Sequence, residues 1–535
     1  MQHRATAKAT LLSGLSIALA GCGHWGVTQP PRTSDAAACA DLQGVAFGDN
    51  TLVTRASYVT SDLTFGTTTA AAPFCRIEAV ARPTGDSRIG FEVWLPPLAA
   101  WNTKYQSIGS GSSAGSINTV AMVSPLADGY AVMATDNGHV TDARQPNGAA
   151  EQTWALGHPE KIIDFAYRAQ HVATVRAKEV ASAFYGRAPT RAYFVGCSQG
   201  GHHGLMEASR YPEDHDAIVA GAPAWDWFNL MAAEVWNSQL YLQDATAIVP
   251  AKNTLLNNAV VAACDAADGV TDGVIDDPRA CAFDPATLQC PGADAANCLT
   301  AVQVAAARRV YGGARQPDGT VIFPAYTRGS ELGWSPLYST PNAAGGSGFD
   351  FFRYTIFQTP AFDNRNFDFA ADYDRARAVR IAGQPAPSVF NATADLAAFR
   401  ARGGKLIIYH GLADQQITPY SSIDYYNRVV AAQGQANTDG FLRMFLMPGM
   451  GHCAGGPGPQ FIGGNTGRAP VAEAAHDVVR ALDKWSTDGT APATLIASRV
   501  TGTAVTRTRP LCAWPKTAVY KGSGSTDDAA NFQCQ

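Results

Sequence analysis

The stretch FVGCSQGGHHG, Phe194–Gly204, sets a serine between glycines and puts a cysteine immediately before it. Residues 196–200 match G-x-S-x-G, a pattern that recurs by chance and gains meaning only from its flanks. Before it, RAYFVG reads as a buried strand; after it, HHGLMEASRYP reads as a helix. Strand, glycine-rich turn and helix in that order predict a sharp, strained turn. Such a turn lifts the Ser198 hydroxyl above the end of the strand.

Working outward, the alternation continues on both sides. RIGFEVWLP sets Ile89, Phe91, Val93 and Leu95 on one face, the period of a strand. GYAVMATDNG is an apolar run ending in a turn. HPEKIIDFAYRAQHVATVRAKEVASAFYG predicts one long helix, with Ile162, Phe165, Ala169, Val172 and Ala173 near helical spacing. DAIVAGAP, KLIIYHGLAD and FLRMFLMPGMGHC predict further strands, and SIDYYNRVVAAQG and VAEAAHDVVRALDKWSTDG predict helices. The pattern is that of an α/β chain with a mainly parallel sheet covered by helices. Between about 225 and 395 the rhythm breaks into a segment with four cysteines, many Gly, Pro and Asn residues, and aromatic pieces such as GSGFDFFRYTIF. The expected organisation is a leader over 1–22, a linker over 23–38, a main domain over 39–224 and 396–535, and an inserted domain over 225–395.

A serine hydroxyl needs a base to become a nucleophile. Asp414 falls in the loop after the strand KLIIYHGLA, and His452 in the loop after FLRMFLMPG. Both loops lie at the carboxyl ends of expected strands, as Ser198 does. The order serine, acid, histidine gives Asp414 the role of orienting the imidazole and His452 that of taking the Ser198 proton. His410 and His202 stand nearby and are read as structural. An oxyanion would need two backbone donors: the amide of Gln199, and one from SIGSGSSAG, where Ser110 is chosen between Gly109 and Gly111.

Composition narrows the function classes. The 535 residues are 46% hydrophobic and 16% charged, as in an ordered globular protein. A net charge of -5 leaves no basic footprint for nucleic acid. At the N-terminus, Arg4 and Lys8 precede LLSGLSIALAGC, too short for a comfortable membrane span and fitting a signal segment. Leu19-Ala20-Gly21-Cys22 resembles a lipobox with Cys22 as the lipidated residue; an ordinary cleaved signal is the other reading. Either route predicts export, to the periplasm, the outer membrane or the medium.

Of the 11 cysteines, setting Cys22 aside leaves an even ten. Local pairing would join Cys39 to Cys75, Cys264 to Cys281, Cys290 to Cys298, and Cys512 to Cys534. Cys197 and Cys453 remain, beside Ser198 and His452 respectively. Their bond would hold serine and histidine within hydrogen-bonding reach. Sequence does not fix the connectivity, and zinc is a weaker alternative because no CxxC pair occurs.

These motifs resemble the tannase and feruloyl esterase family of α/β-hydrolases. GCSQGG, VAGAPAW, CDAADGVTDGVIDDPRAC, LAAFRARGGKLIIYHGLAD, MPGMGHCAGGPG and TRPLCAWP carry the resemblance over nearly the whole mature chain. It implies an α/β-hydrolase fold with a large inserted lid domain, a Cys-Ser, Asp, His-Cys site with its linking disulfide, and no organic cofactor. It also implies a structural Ca2+ in the lid, held by Asp265, Asp268 and Asp272 and the carbonyls of Val270 and Val274. By composition alone such Asp-Gly pairs mark turns more often than metal sites.

The implied activity is hydrolysis of aromatic-acid esters through an acyl-enzyme: feruloyl esters first, gallate esters or mono(2-hydroxyethyl) terephthalate as alternatives. Trp334 and Phe349, beside Phe351 and Phe352, are the candidate contacts for an aromatic acyl group. Members that cleave the terephthalate monoester grip its free carboxylate with an arginine where this chain has Gly345, and carry an acid where it has Gln199. A surface lipoprotein that binds aromatic polymers without turnover is the reading from another class.

Overall fold

The computed structural model describes residues 34–141, 152–247, 250–334 and 347–535. Ten strands form the central sheet: β1 (Ala46–Phe47), β2 (Thr51–Val59), β3 (Phe74–Ala81), β4 (Ile89–Leu95), β5 (Lys104–Ile108), β6 (Ala131–Thr135), β7 (Arg191–Cys197), β8 (Ala217–Gly221), β9 (Lys405–Gly411) and β10 (Leu442–Met447). Their spatial order is β1-β2-β3-β4-β6-β5-β7-β8-β9-β10. From β6 through β10 every neighbouring pair is parallel. From β1 to β6 the pairs are antiparallel, so the sheet is more mixed than the mainly parallel one expected. Short links such as that from Ala81 to Ile89 leave room only for a hairpin, whereas parallel neighbours need a crossover.

The parallel strands are apolar along their length because both faces are covered; Leu406, Ile407, Ile408 and Tyr409 of β9 are all fully buried. On one face, helix α1 (Ala169–Tyr185) packs Val172, Ala177 and Val180 against Phe91, Val93 and Met133. On the other, Leu482 and Trp485 of the helix Val478–Asp488 join Tyr193, Ile407 and Tyr409.

Two helices differ from their sequence reading. The long helix is composite: an α turn over Pro159–Ile163, a π turn over Asp164–Arg168, then α1, which ends at Gly186 with φ 71°. The closing helix begins only at Val478, because the Asp477 carboxylate caps the amides of Val479 and Arg480 at 2.9 and 3.1 Å. A hairpin of Thr494–Thr501 and Ala504–Cys512, not foreseen from sequence, follows it.

Residues between Gly221 and Lys405 leave the central sheet and return to it in adjacent parallel strands. Their two ends meet. Trp225 accepts the Ala392 amide at 2.9 Å, and Asp226 accepts the Asn391 side-chain amide at 2.6 Å. No helix among the described residues is long and apolar enough to cross a membrane. Cys22 lies outside the described residues.

Candidate active site

The turn after β7 is as strained as its sequence implies. Ser198 has φ 64° and ψ -123°, and its amide donates to the Gly221 carbonyl on β8 at 3.0 Å. Helix α2 (Gln199–Arg210) starts at the next residue. Glycines permit the crowding here: a Cβ on Gly196 would lie 2.5 Å from the Gly200 backbone, and one on Gly200 would lie 2.8 Å from the Ser110 carbonyl. The loop after β5 can therefore press against the start of α2. In that loop the Gly109 amide is committed to the Val195 carbonyl at 2.9 Å.

Behind this contact lies a buried polar network. The Ser110 hydroxyl accepts from the Asn137 side-chain amide at 2.7 Å and faces the Gln199 side-chain oxygen at 3.4 Å. Asn137 in turn reaches the His203 ring at 3.2 Å. Burial pulls the His203 imidazole well down, to about 3, with the neighbouring His202 acting in the same direction, so the ring is neutral. Sequence reasoning missed Asn137 and His203; only the polar pair HH inside an apolar helix face hinted at the second.

Asp414 and His452 come together at the ends of β9 and β10. The Asp414 Oδ2 receives His452 Nδ1 at 2.8 Å, while Oδ1 accepts the amides of Gln416 and Ile417 at 2.8 and 2.9 Å. Burial works to raise this carboxyl. The charge of His452 and the hydrogen bonds from His410 and His452 outweigh it and hold Asp414 well below the usual carboxylate range. His410 is fully buried, its Nδ1 on Ser422 at 2.7 Å and its Nε2 between the Ile417 carbonyl at 2.8 Å and Asp414 at 3.2 Å. His202 meets the Phe390 carbonyl at 2.7 Å through Nε2. Both rings thus have fixed structural partners.

All five disulfides form: Cys39–Cys75, Cys197–Cys453, Cys264–Cys281, Cys290–Cys298 and Cys512–Cys534. Cys197–Cys453 brings its two Cα atoms to 6.1 Å. Cys453, with φ 59°, turns the chain immediately after His452.

Ser198 and His452 border one cavity of about 340 Å³, with the disulfide between them in its wall. The loop Gly109–Ser112 closes one side and Ile417 another. Opposite stands helix α3 (Trp227–Gln243), which presents Trp227, Leu230, Met231 and Glu234. Those positions follow i, i+3, i+4, i+7, one face of a helix. The expectation that Trp334 and Phe349 line the pocket is corrected. Trp334 is buried against Tyr311 with its indole N–H on Ser330 at 3.0 Å, and Phe349 is buried in the main apolar cluster. Neither borders the cavity: Trp334 is consumed in the inserted segment's own core, and Phe349 in the cluster that this segment shares with the central sheet.

The acidic loop gives calcium no geometric support. Asp265 accepts the amides of Asp272 and Gly273, and Asp268 those of Val270 and Asp276. Asp272 accepts the Val274 amide and pairs with Arg507 at 3.1 Å and with Arg509. Val270 and Val274 are buried. Among the described residues no group of three or more His, Cys, Asp or Glu side chains is arranged to hold a metal ion.

A mixed sheet with a strained serine turn, and an Asp–His pair at the same sheet edge, defines an α/β-hydrolase with a serine site. Residues 75–535 match the family model described as tannase and feruloyl esterase. An uncharacterized esterase of Xanthomonas campestris pv. campestris is 37% identical, over 94% of this chain and 92% of that one. Mono(2-hydroxyethyl) terephthalate hydrolase of Piscinibacter sakaiensis is 34% identical, over 85% and 83%. A crystal structure of feruloyl esterase B from Aspergillus oryzae superposes with a TM-score of 0.83 at 28% identity, covering 94% of this chain and all of that one. The chain belongs to the tannase and feruloyl esterase family, and is a carboxylic ester hydrolase.

Proposed function

We propose that this enzyme is a serine esterase for neutral esters of aromatic acids, of the feruloyl type. One observation carries the reading: the cavity bordered by Ser198 and His452 is walled opposite them by the apolar side chains Trp227, Leu230 and Met231, and no arginine or lysine is among its described lining residues. An aromatic ring fits such a wall, and the described lining residues offer a free carboxylate no cation.

In this mechanism His452 keeps its proton on Nδ1, facing Asp414, so Nε2 is free to take the Ser198 proton. The alkoxide attacks the ester carbonyl, and the Gln199 amide at the start of α2 holds the developing oxyanion. With the Gly109 amide already committed, the second donor is the Ser110 amide. The imidazolium then protonates the departing alcohol. Water, deprotonated by the same ring, releases the acid. The segment 225–395 acts as the lid over this chemistry.

The test is a panel of methyl ferulate, methyl gallate, chlorogenate and mono(2-hydroxyethyl) terephthalate, with Ser198→Ala as control. Ferulate should lead in kcat/KM, and the variant should lose at least about 1000-fold. A terephthalate or gallate lead would reassign the substrate; silence across the panel from oxidised, folded enzyme would remove the aromatic-ester reading.

Two further proposals concern the mature chain. A structural calcium at Asp265, Asp268 and Asp272, with the Val270 and Val274 carbonyls, rests on donor chemistry and not on the arrangement of these side chains: each carboxylate accepts about four bonds and keeps lone pairs beyond its amide partners. Burial raises the Asp268 pKa, and the like charges of Asp272 and Asp265 add to it, a repulsion a cation would relieve. Chelation should lower Tm by several degrees and calcium should restore it; an unchanged Tm would discard the ion. Five disulfides suit an oxidising compartment, so we place the mature enzyme outside the cytoplasm, tethered through Cys22. Cys22→Ala should abolish labelling by a fatty-acid analogue, and persistent membrane retention of that variant would refute the tether.

A further inference from the structure

Glu234 is out of place in an apolar wall. It stands two turns along α3 from Trp227, so its Cα lies about 10 Å further down the helix face that borders the cavity. Its carboxylate has a single hydrogen bond among the described residues, from the Gly348 amide to Oε2 at 2.7 Å, and no ion-pair partner. The nearby Tyr326 hydroxyl offers nothing to it, being committed to the Gln416 carbonyl at 2.9 Å. Gly348 allows the close approach, for a Cβ there would meet the Met231 carbonyl at 2.5 Å. Burial pushes the carboxyl up to about 7, the Gly348 amide pulling the other way. The side chain is half-buried, so its second oxygen stays open to the cavity and can accept a hydrogen bond from a group bound there.

The reaction itself supplies such a donor. The ester carbonyl must sit at Ser198, beside the start of α3. A flat acyl group laid along Trp227, Leu230 and Met231 then points its far end down the same helix face. We infer that Glu234 is the specificity-determining residue of the acyl pocket: its free carboxylate oxygen accepts the ring hydroxyl at the far end of a phenolic acyl group. The same oxygen repels an acyl group that ends in a carboxylate. This rests on the aromatic-ester reading above and deepens it, since the ring hydroxyl becomes a requirement and not an ornament.

The experiment compares kcat/KM for methyl p-coumarate, methyl 4-methoxycinnamate and mono(2-hydroxyethyl) terephthalate in the wild type, Glu234→Leu and Glu234→Gln. Capping the hydroxyl with a methyl group should cost the wild type roughly 10- to 100-fold, the range for a hydrogen bond to a charged group. In Glu234→Leu the two cinnamates should come within about twofold of each other. Glu234→Gln keeps an acceptor for the Gly348 amide, so it holds the local fold; it should shrink the hydroxyl preference and raise terephthalate turnover several-fold. A merely structural role would lower all three substrates alike and leave the ratios unmoved, and that result would overturn the inference. If the wild type turns over none of the three in a Ser198-dependent way, the aromatic-ester reading itself fails.

Discussion

Gly200 has no side chain to move a proton, yet the space around it decides where the loop Gly109–Ser112 stands, the loop proposed to hold the oxyanion. A methyl group there would lie 2.8 Å from the Ser110 carbonyl and 3.1 Å from the Gly109 Cα, both backbone atoms that cannot swing aside. Gly200→Ala should therefore push the loop Gly109–Ser112 away from the serine by some tenths of an ångström. A displaced donor hurts the transition state more than the bound substrate, so kcat should fall roughly 100-fold while KM stays nearly constant. Steady-state kinetics beside a thermal melt checks this; an unchanged kcat in a stable variant would show that the loop's contact with α2 has no part in the chemistry. At this scale the sequence was most legible where chemistry and backbone demand the same residues. G-x-S-x-G needs its glycines for the turn, and Cys-Ser with His-Cys announces itself as a matched pair of dipeptides. Asn137 and His203 escaped notice because a buried hydrogen-bond network leaves no period and no spacing in the chain.

The clasp at the foot of the inserted segment belongs to the scale of elements. Asp226 opens α3 and accepts side-chain amides from Asn229 at 2.9 Å and Asn391 at 2.6 Å, tying the segment's entrance to its exit. Burial pushes this carboxyl up to about 6, against the hydrogen bond from Asn229, the charge of Arg428 and the bond from Asn391, which hold it down. An unfolded aspartate titrates near about 3.9. Between about pH 4 and pH 6 the folded chain keeps a proton that the unfolded chain has lost, so stability falls as pH rises through that window and levels off above it. Asp226→Asn removes this slope. Denaturant midpoints at pH 4.5 and pH 7 should show the wild type losing stability relative to the variant; parallel behaviour at the two values would refute it. Strands such as β9 were readable because burial on both faces leaves an unbroken apolar run. The contents of the inserted segment were not. Trp334, Phe349 and Trp227 are chemically alike in the chain, and only tertiary packing decides which rings fill the core and which face the cavity.

Across the whole molecule, one covalent bond joins the two strand ends that carry the chemistry. Cys197 and Cys453 are separated by 256 residues, a span that includes the entire inserted segment. Closing a loop of that length is worth roughly 5 kcal/mol in the chain-entropy model, an upper figure because unfolded chains keep some structure. A staple anywhere on a similar span would contribute as much. What singles out this one is that its half-cystines are the immediate neighbours of Ser198 and His452, on two loops with positive φ at Ser198 and Cys453. The paired change Cys197→Ala, Cys453→Ala should therefore lower stability and, in the fraction still folded at 25 °C, also lower kcat by 10-fold or more, since serine and histidine lose their common tether. Removing Cys39–Cys75, which fastens the short helix Asp35–Ala40 to β3 away from the cavity, should lower Tm while leaving kcat/KM within about twofold. Measuring both pairs side by side separates stapling from alignment. Equal losses of stability with equal, intact kcat would make Cys197–Cys453 a staple like the other four; a kcat loss confined to it would mean that this fold uses a covalent bond to set the distance between its nucleophile and its base.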